Sequence, residues 1–233
     1  MNIQLNKSTA RETAILNAAT HLFTQYGYDK TSIADIAKRA GISKGAIYLN
    51  FKSKDKLFEA LLIIQITRFG HEWMAHVEAD PQGGTMARIY INMLYAMNDN
   101  KFITSMLRQD NHLFGRYLHK PNNIFKDRNH AGTKHEFITL MQQAGCIRKD
   151  LEPVTTAHVM NILSYGLVAM EQVMHKDDIP PAEEVIKTIA EIMDRALTPK
   201  DGGNSDAGKA ILRQLFDAGL KQFQQQTTYK FDS

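Results

Sequence analysis

The apolar residues near the start of the chain fall at steps of three and four. Ile15, Ala18, Ala19, Leu22, Phe23 and Tyr26 make one stripe, which is the period of a helix packed along one side. Ahead of it, Thr9-Ala10-Arg11-Glu12 has the form of a capping box, and behind it Gly27 suits a left-handed helix stop. A second helix is predicted from Thr31-Ser32. Asp35 lies in its first turn, Ile33, Ile36 and Ala37 face inward, Lys38 and Arg39 lie in its last turn, and Gly41 closes it. A third begins almost at once, capped by Ser43 and running through Lys44, Gly45, Ala46, Ile47 and Tyr48. Two short helices joined across a glycine-containing turn form a helix-turn-helix. Ile42 and Ile47 would hold the later helix down and leave Lys44, Gly45, Ala46 and Tyr48 outward.

The helical period continues. Ser53 is placed to cap a fourth helix, which Leu57, Phe58, Leu61 and Leu62 keep amphipathic well past residue 64. Further helices are predicted over residues 89–97, 102–118, 133–144, 156–175, 182–197 and 207–223. Glycine- and proline-bearing stretches separate them, among them DPQGG at 80–84, KPNN at 120–123 and KDGGNSD at 200–206. No window alternates with period two. The prediction is an all-α chain in three parts: a helix-turn-helix domain over 1–53, a larger helical body over 54–199, and a linker with an additional helix over 200–233. The stripe of Ile211, Leu212, Leu215, Phe216, Leu220 and Phe223 suits either docking on the body or holding a partner, with docking favoured because a free stripe of this size would be sticky.

Charge adds a direction. Residues 1–70 carry ten lysines and arginines against five acids, and the remainder carries eighteen against twenty. A basic head on a slightly acidic body suits a nucleic-acid reader, although an uneven solvated surface has the same signature. The outward face of the third helix separates the two readings. An ordinary solvent face carries Glu, Lys and Gln. This one carries small residues that allow close approach, a lysine, and a tyrosine able to donate to a phosphate. The N-terminal end of such a helix is what a helix-turn-helix presents to base edges in the major groove.

The stretch TSIADIAKRAGISKGAIYLNFKSKDKLFEALL, residues 31–62, with ILNAATHLFTQYGYDKTS before it, resembles the DNA-binding signature of TetR-family regulators over residues 9–62. QQAGCIRKDLEP (142–153) is a weaker echo of the junction between late helices of that family's effector domain. The resemblance implies a regulator of transcription, more often a repressor, that binds palindromic operator DNA as a homodimer and responds to a small molecule. It implies DNA contacts at Thr31, Ser32, Ser43, Lys44, Gly45, Ala46, Tyr48, Asn50 and Lys54. Positions 49 and 50, often aromatic or histidine in relatives, are Leu49 and Asn50 here, so the target site is expected to be this chain's own. The helices near 156–175 and 182–197 are the expected dimer pair. Val159, Ile162, Leu163, Leu167, Val168, Met170 and Val173 are many apolar residues for one exposed helix, and a monomer core would use them equally.

A methionine-rich interior suits an irregular cavity for an apolar or amphipathic effector, as well as ordinary gap filling. Trp73, Phe114, Phe137 and Tyr165 are the aromatic candidates for its wall, each also readable as core. No cofactor, metal or catalytic set is expected. His71-Glu72 is followed by a histidine only at His76, roughly 140° around the helix, so the two rings do not share the face that a zinc-protease motif needs. No P-loop, dinucleotide fingerprint or nucleophile elbow is present, which argues against an enzyme. The single Cys146 and the absence of an apolar leader in MNIQLNK point to the cytoplasm. The longest apolar run, residues 57–66, is interrupted by Glu59 and too short to span a bilayer.

Overall fold

In the computed structural model, residues 2–98, 100–121, 123, 134–170 and 173–226 are described, the side chains of 2–9, 98, 101, 168, 176 and 222–226 excepted. Predicted features at Thr133, Val168 and Phe223 fall outside what is described. Every regular element among the described residues is helical: α1 (Asn2–Lys30), α2 (Ile33–Ala40), α3 (Lys44–Asn50), α4 (Lys54–Ala79), α5 (Met86–Asn98), α6 (Lys101–Leu107), α7 (Asn111–Phe114), α8 (His135–Gln143), α9 (Pro153–Ala169), α10 (Ala182–Leu197) and α11 (Ser205–Gln226), with short 3₁₀ turns at Gly115–His119 and Lys176–Asp178.

The chain folds as two compact units, and their boundaries differ from the predicted ones. The first takes Met1–Gln65 and also Gln109–His130; the second takes Ile66–Arg108 and Ala131–Ser233. The predicted break at 53/54 therefore falls inside the first unit, because Leu57, Phe58, Leu61 and Leu62 are all buried there. The predicted 102–118 helix is also broken. Gln109 takes a positive φ, and Asp110 caps a new helix by accepting from the His112 amide at 2.8 Å.

In the first unit the α1 stripe is buried as predicted at Ile15, Ala18, Ala19, Leu22 and Phe23. Tyr26 is the exception, being exposed. Helix α1 begins at Asn2, so Thr9 lies within it and not at its start. Gly27 interrupts the helical path with φ 78° and ψ 171°, so the helix is stopped where the sequence suggested and takes one further turn to Lys30. The core is aromatic: Phe58 meets Phe23 at 4.7 Å, Tyr117 at 4.9 Å and Phe114 at 5.8 Å between ring centroids. Such pairs add about 0.5–1.5 kcal/mol each beyond the area they bury.

The second unit is built around α5, whose Met86, Ile89, Tyr90, Leu94 and Met97 are buried with Ile186, Ile189 and Met193 of α10 and Met160 of α9. The Tyr90 hydroxyl donates to the Met160 carbonyl at 2.8 Å, and burial pushes its pKa up to about 12. Helix α9 starts at Pro153, earlier than the predicted 156, because the Glu152 carboxylate accepts from the Val154 and Thr155 amides. It ends at Ala169, short of the predicted 175. The C-terminal α11 docks, as favoured: Leu212 is buried, Lys209 donates to the Asp80 carbonyl at 2.7 Å, and Arg213 pairs with Glu78.

Candidate nucleic-acid interface

Helix α2 is closed at both ends by its own residues. The Asp35 amide donates to the Ser32 hydroxyl at 3.2 Å, and the Ser32 amide donates to the Asp35 carboxylate at 3.1 Å. Such a box satisfies two helix-end donors at once. The Ser32 hydroxyl, which donates to the same carboxylate at 2.5 Å, and then the Ser32 amide hold the Asp35 carboxyl below its usual range. At the other end Gly41 takes φ 67°, a left-handed conformation that costs glycine little, and the chain turns directly into α3.

Helix α3 is seven residues long, capped by Ser43, whose hydroxyl accepts from the Ala46 amide at 3.2 Å. Ile47 is its buried residue, and the Phe51 amide closes it by donating to the Ile47 carbonyl at 2.8 Å. One anchor on so short a helix leaves the rest outward. Tyr48 is 52% exposed and Leu49 82%; Lys44, Gly45 and Asn50 are exposed and Ala46 is half-buried. Asn50 Nδ2 donates to the Ala46 carbonyl at 3.0 Å, which aims its amide along the helix and leaves the side-chain oxygen for another donor. The predicted recognition residues Ser43, Lys44, Gly45, Ala46, Tyr48 and Asn50 thus belong to one short helix and its cap, and Ser32 marks the exposed start of the helix before it.

Two predicted contacts have other work. Thr31 is only 2% exposed, and its hydroxyl lies 2.8 Å from the Gly27 carbonyl and 3.1 Å from that of Leu22. A side chain closing the end of α1 in this way is not available to a phosphate. Lys54 is half-buried, with Nζ donating to the carbonyls of Tyr28 at 2.8 Å and Thr31 at 3.1 Å and sitting 4.0 Å from the centroid of the Tyr28 ring. An ammonium has three protons, and two are spent tying the start of α4 to the α1–α2 junction. Burial lowers its pKa, with Asp29 opposing.

Beside it lies a group that sequence reasoning missed. The Tyr28 hydroxyl bonds Asp55, which also receives Lys120, and Asp29 receives Arg116. Burial, then the bond to Asp55, raises Tyr28 to about 12. Burial works to raise Asp55, but Lys120 and Tyr28 outweigh it and hold the carboxyl below its usual value. The partners are far apart in sequence, so no local spacing announces them. The only hint was acidic residues at both ends of a basic helix-turn-helix.

The four aromatic ligand candidates differ in where they lie and in how far they are buried. Phe114 is fully buried in the aromatic core of the first unit. In the second unit the Trp73 indole N–H is bonded to the Ile89 carbonyl at 3.0 Å, Phe137 packs against the core, and Tyr165 is exposed. An open cleft of about 530 Å³ in that unit is lined instead by Pro81, Gln82, Gly145, Asp201, Asn204 and Ser205 among others. Among the described residues no group of three His, Cys, Asp or Glu is placed to hold a metal, and no helix is long and apolar enough to cross a membrane.

Comparison with known proteins follows the same geography. Residues 15–61 match the family described as bacterial regulatory proteins, tetR family. The chain is 40% identical over 80 residues to the HTH-type transcriptional regulator AcrR of Shigella flexneri, covering 32% of this chain and 37% of that one. It is 25% identical over 169 residues to the fatty acid metabolism regulator protein of Bacillus subtilis, covering 67% and 87%. The chain spans 37% of the Shigella regulator's length and 28% of the length of each of two further curated relatives. Among solved structures, NalD of Pseudomonas aeruginosa, a secondary repressor of a multidrug efflux pump, superposes with a TM-score of 0.54 at 21% identity, over 84% of this chain and 99% of that one. That likeness shows a shared fold.

Proposed function

We propose that this chain, whose residues 15–61 match the family of bacterial regulatory proteins described as tetR, is a sequence-specific DNA-binding regulator of transcription, acting as a homodimeric repressor on a palindromic operator in the cytoplasm. The observation that carries the reading is α3: a seven-residue helix anchored by Ile47 that presents Lys44, Gly45, Tyr48, Leu49 and Asn50 outward. Its N-terminal residues would lie in the major groove. Lys44 would supply phosphate attraction, Tyr48 a phosphate or sugar contact, Leu49 a surface for a thymine methyl and Asn50 a polar contact to a base edge. Ser32 and the first amides of the eight-residue α2 add a second phosphate position.

The dimer reading is supported by the outer side of α9 and α10. Val159, Ile162 and Tyr165 are exposed at steps of three along α9, and Ile192 is exposed on α10. A two-fold pairing of such helices buries these residues as a four-helix bundle and gives two heads for two half-sites. Effector control follows the same family logic: a small molecule releases DNA only by binding the DNA-incompetent state more tightly than the competent one. A second reading, a regulator with no effector, draws support from Trp73 and Phe137, which are engaged in packing. Fragments of genomic DNA captured by the full chain, then titrated with and without a panel of apolar and amphipathic compounds, decide between them. The effector reading requires that at least one compound weaken binding to the captured site.

A further inference from the structure

The first unit is completed by a segment lying well outside the family-matched stretch. The chain leaves this unit after Gln65 and returns at Gln109, and residues 110–120 pack against α1. The fit is made at backbone level. A Cβ at Gly27 would overlap the His112 carbonyl, and one at Gly115, which takes φ 46°, would overlap the Asp29 carboxylate. Both positions admit glycine alone without displacement. Leu113, Phe114 and Tyr117 are buried, with the Tyr117 ring 5.6 Å from that of Tyr28.

Two ion pairs finish the contact. Asp29 accepts from both the Arg116 amide and the Arg116 Nε, each at 3.0 Å. Asp55 accepts from Lys120 and from the Tyr28 hydroxyl. An exposed ion pair alone is worth little. What matters is where these two act. Asp29 lies two residues before Thr31, which closes α1, and three before Ser32, which caps α2. Asp55 follows Lys54, whose ammonium ties the Tyr28 and Thr31 carbonyls. The pairs therefore hold the two junctions that flank the helix-turn-helix, and they pair two of the acids in the basic first unit.

We propose that residues 110–120 are a working part of the DNA-reading head, with Arg116 and Lys120 as positioning residues that fix the α1–α2 junction and the start of α4 for duplex binding. The inference rests on the DNA-binding reading above. Arg116 gives its Nε and its amide to Asp29, and Lys120 gives one ammonium proton to Asp55; action through the head's geometry is separated from direct phosphate contact by the salt dependence of binding.

The test uses the full chain with Arg116→Ala, Lys120→Ala and the pair combined, beside Arg116→Lys, which keeps the charge but loses the Nε donor to Asp29. Affinity for the captured duplex is followed across a salt series, and amide exchange is followed in the free proteins. The double variant is expected to bind roughly three- to tenfold more weakly, with an unchanged log–log salt slope and faster exchange over residues 29–35. Arg116→Lys is expected to fall between it and wild type. A slope reduced by about 0.9 per residue would mean direct phosphate contact and overturn the positioning role. Unchanged affinity overturns it as well, as does unchanged exchange. A wild-type chain that retains no duplex defeats the DNA-binding reading itself, while the exchange data still report separately whether the clasp orders the junction.

Discussion

Tyr48 and Lys54 stand within seven residues of each other and do different work. Tyr48 is exposed and anchors nothing in α3. Tyr48→Ala is therefore expected to lower affinity for the specific site by about 1–3 kcal/mol while leaving the melting temperature unchanged, as paired binding and thermal scans would show. Lys54 is the reverse. Replacing it with methionine leaves two buried carbonyls without their donor, at about 1–3 kcal/mol each when no water replaces it, so a fall in melting temperature should accompany any loss of binding. A Lys54→Met variant as stable as wild type would return this residue to the phosphate-contact role that the family pattern implies. Asp55 gives a pH signature. Lys120 and Tyr28 hold its folded pKa below the usual carboxylate value, so its contribution is fully present above that usual value and is lost as pH falls through the folded pKa. Asp55→Asn should flatten the acid limb of a stability-versus-pH curve below about 4, and an unaltered limb would assign the acid sensitivity elsewhere. Of these residues, Tyr48 was legible in the sequence because exposure on a short helix follows from local period. The true partners of Thr31 and Lys54 were not, since a hydroxyl or ammonium turned inward is decided by what the rest of the chain brings near it.

At the level of helices, local signals carried far. The caps at Ser32 and Ser43 and the stop at Gly41 are all in use, and α10 runs over the predicted 182–197. Those signals act within four residues and need no tertiary knowledge. The failures share the opposite cause. The capping box at Thr9 is bypassed because α1 continues through it to Asn2. Residues 102–118 carry enough apolar period for one helix, yet break at Gln109 and Gly115 to send Leu113, Phe114 and Tyr117 into the aromatic core of the first unit. A non-local destination set that break. Helix α11 shows the same balance: its stripe was visible, and its site became clear only through Leu212, Lys209 and Arg213. Leu212→Ala should cost about 2–5 kcal/mol of stability as a buried truncation. Chemical denaturation tests this, and a change under about 0.5 kcal/mol, normal for a surface position, would mean that α11 is not held as described.

For the molecule as a whole, the fold class and the helix-turn-helix could be read from the sequence, whereas which aromatic residues the core would take could not. Burial is decided by residues brought together from several helices, and aromatic identity alone does not fix it, as the burial of Phe114 and the exposure of Tyr165 show. The assembly is open to direct test. Ile162 is 56% exposed on α9, so Ile162→Glu costs the free subunit little but places a charge inside the proposed bundle. Sedimentation should show dimer turning to monomer, with operator affinity falling in parallel. A dimer that survives the change unweakened would move the interface away from α9.

DNA recognition by α3 is tested most directly by anisotropy titrations of the full chain and Tyr48→Ala, on a duplex captured from genomic fragments and on a scrambled duplex of equal length, across a salt series. The account predicts that log affinity falls linearly with log salt, that the captured duplex binds at least about 10³-fold more tightly than the scrambled one, and that Tyr48→Ala erodes this preference. Equal binding of the two duplexes, or a preference untouched by Tyr48→Ala, would contradict it.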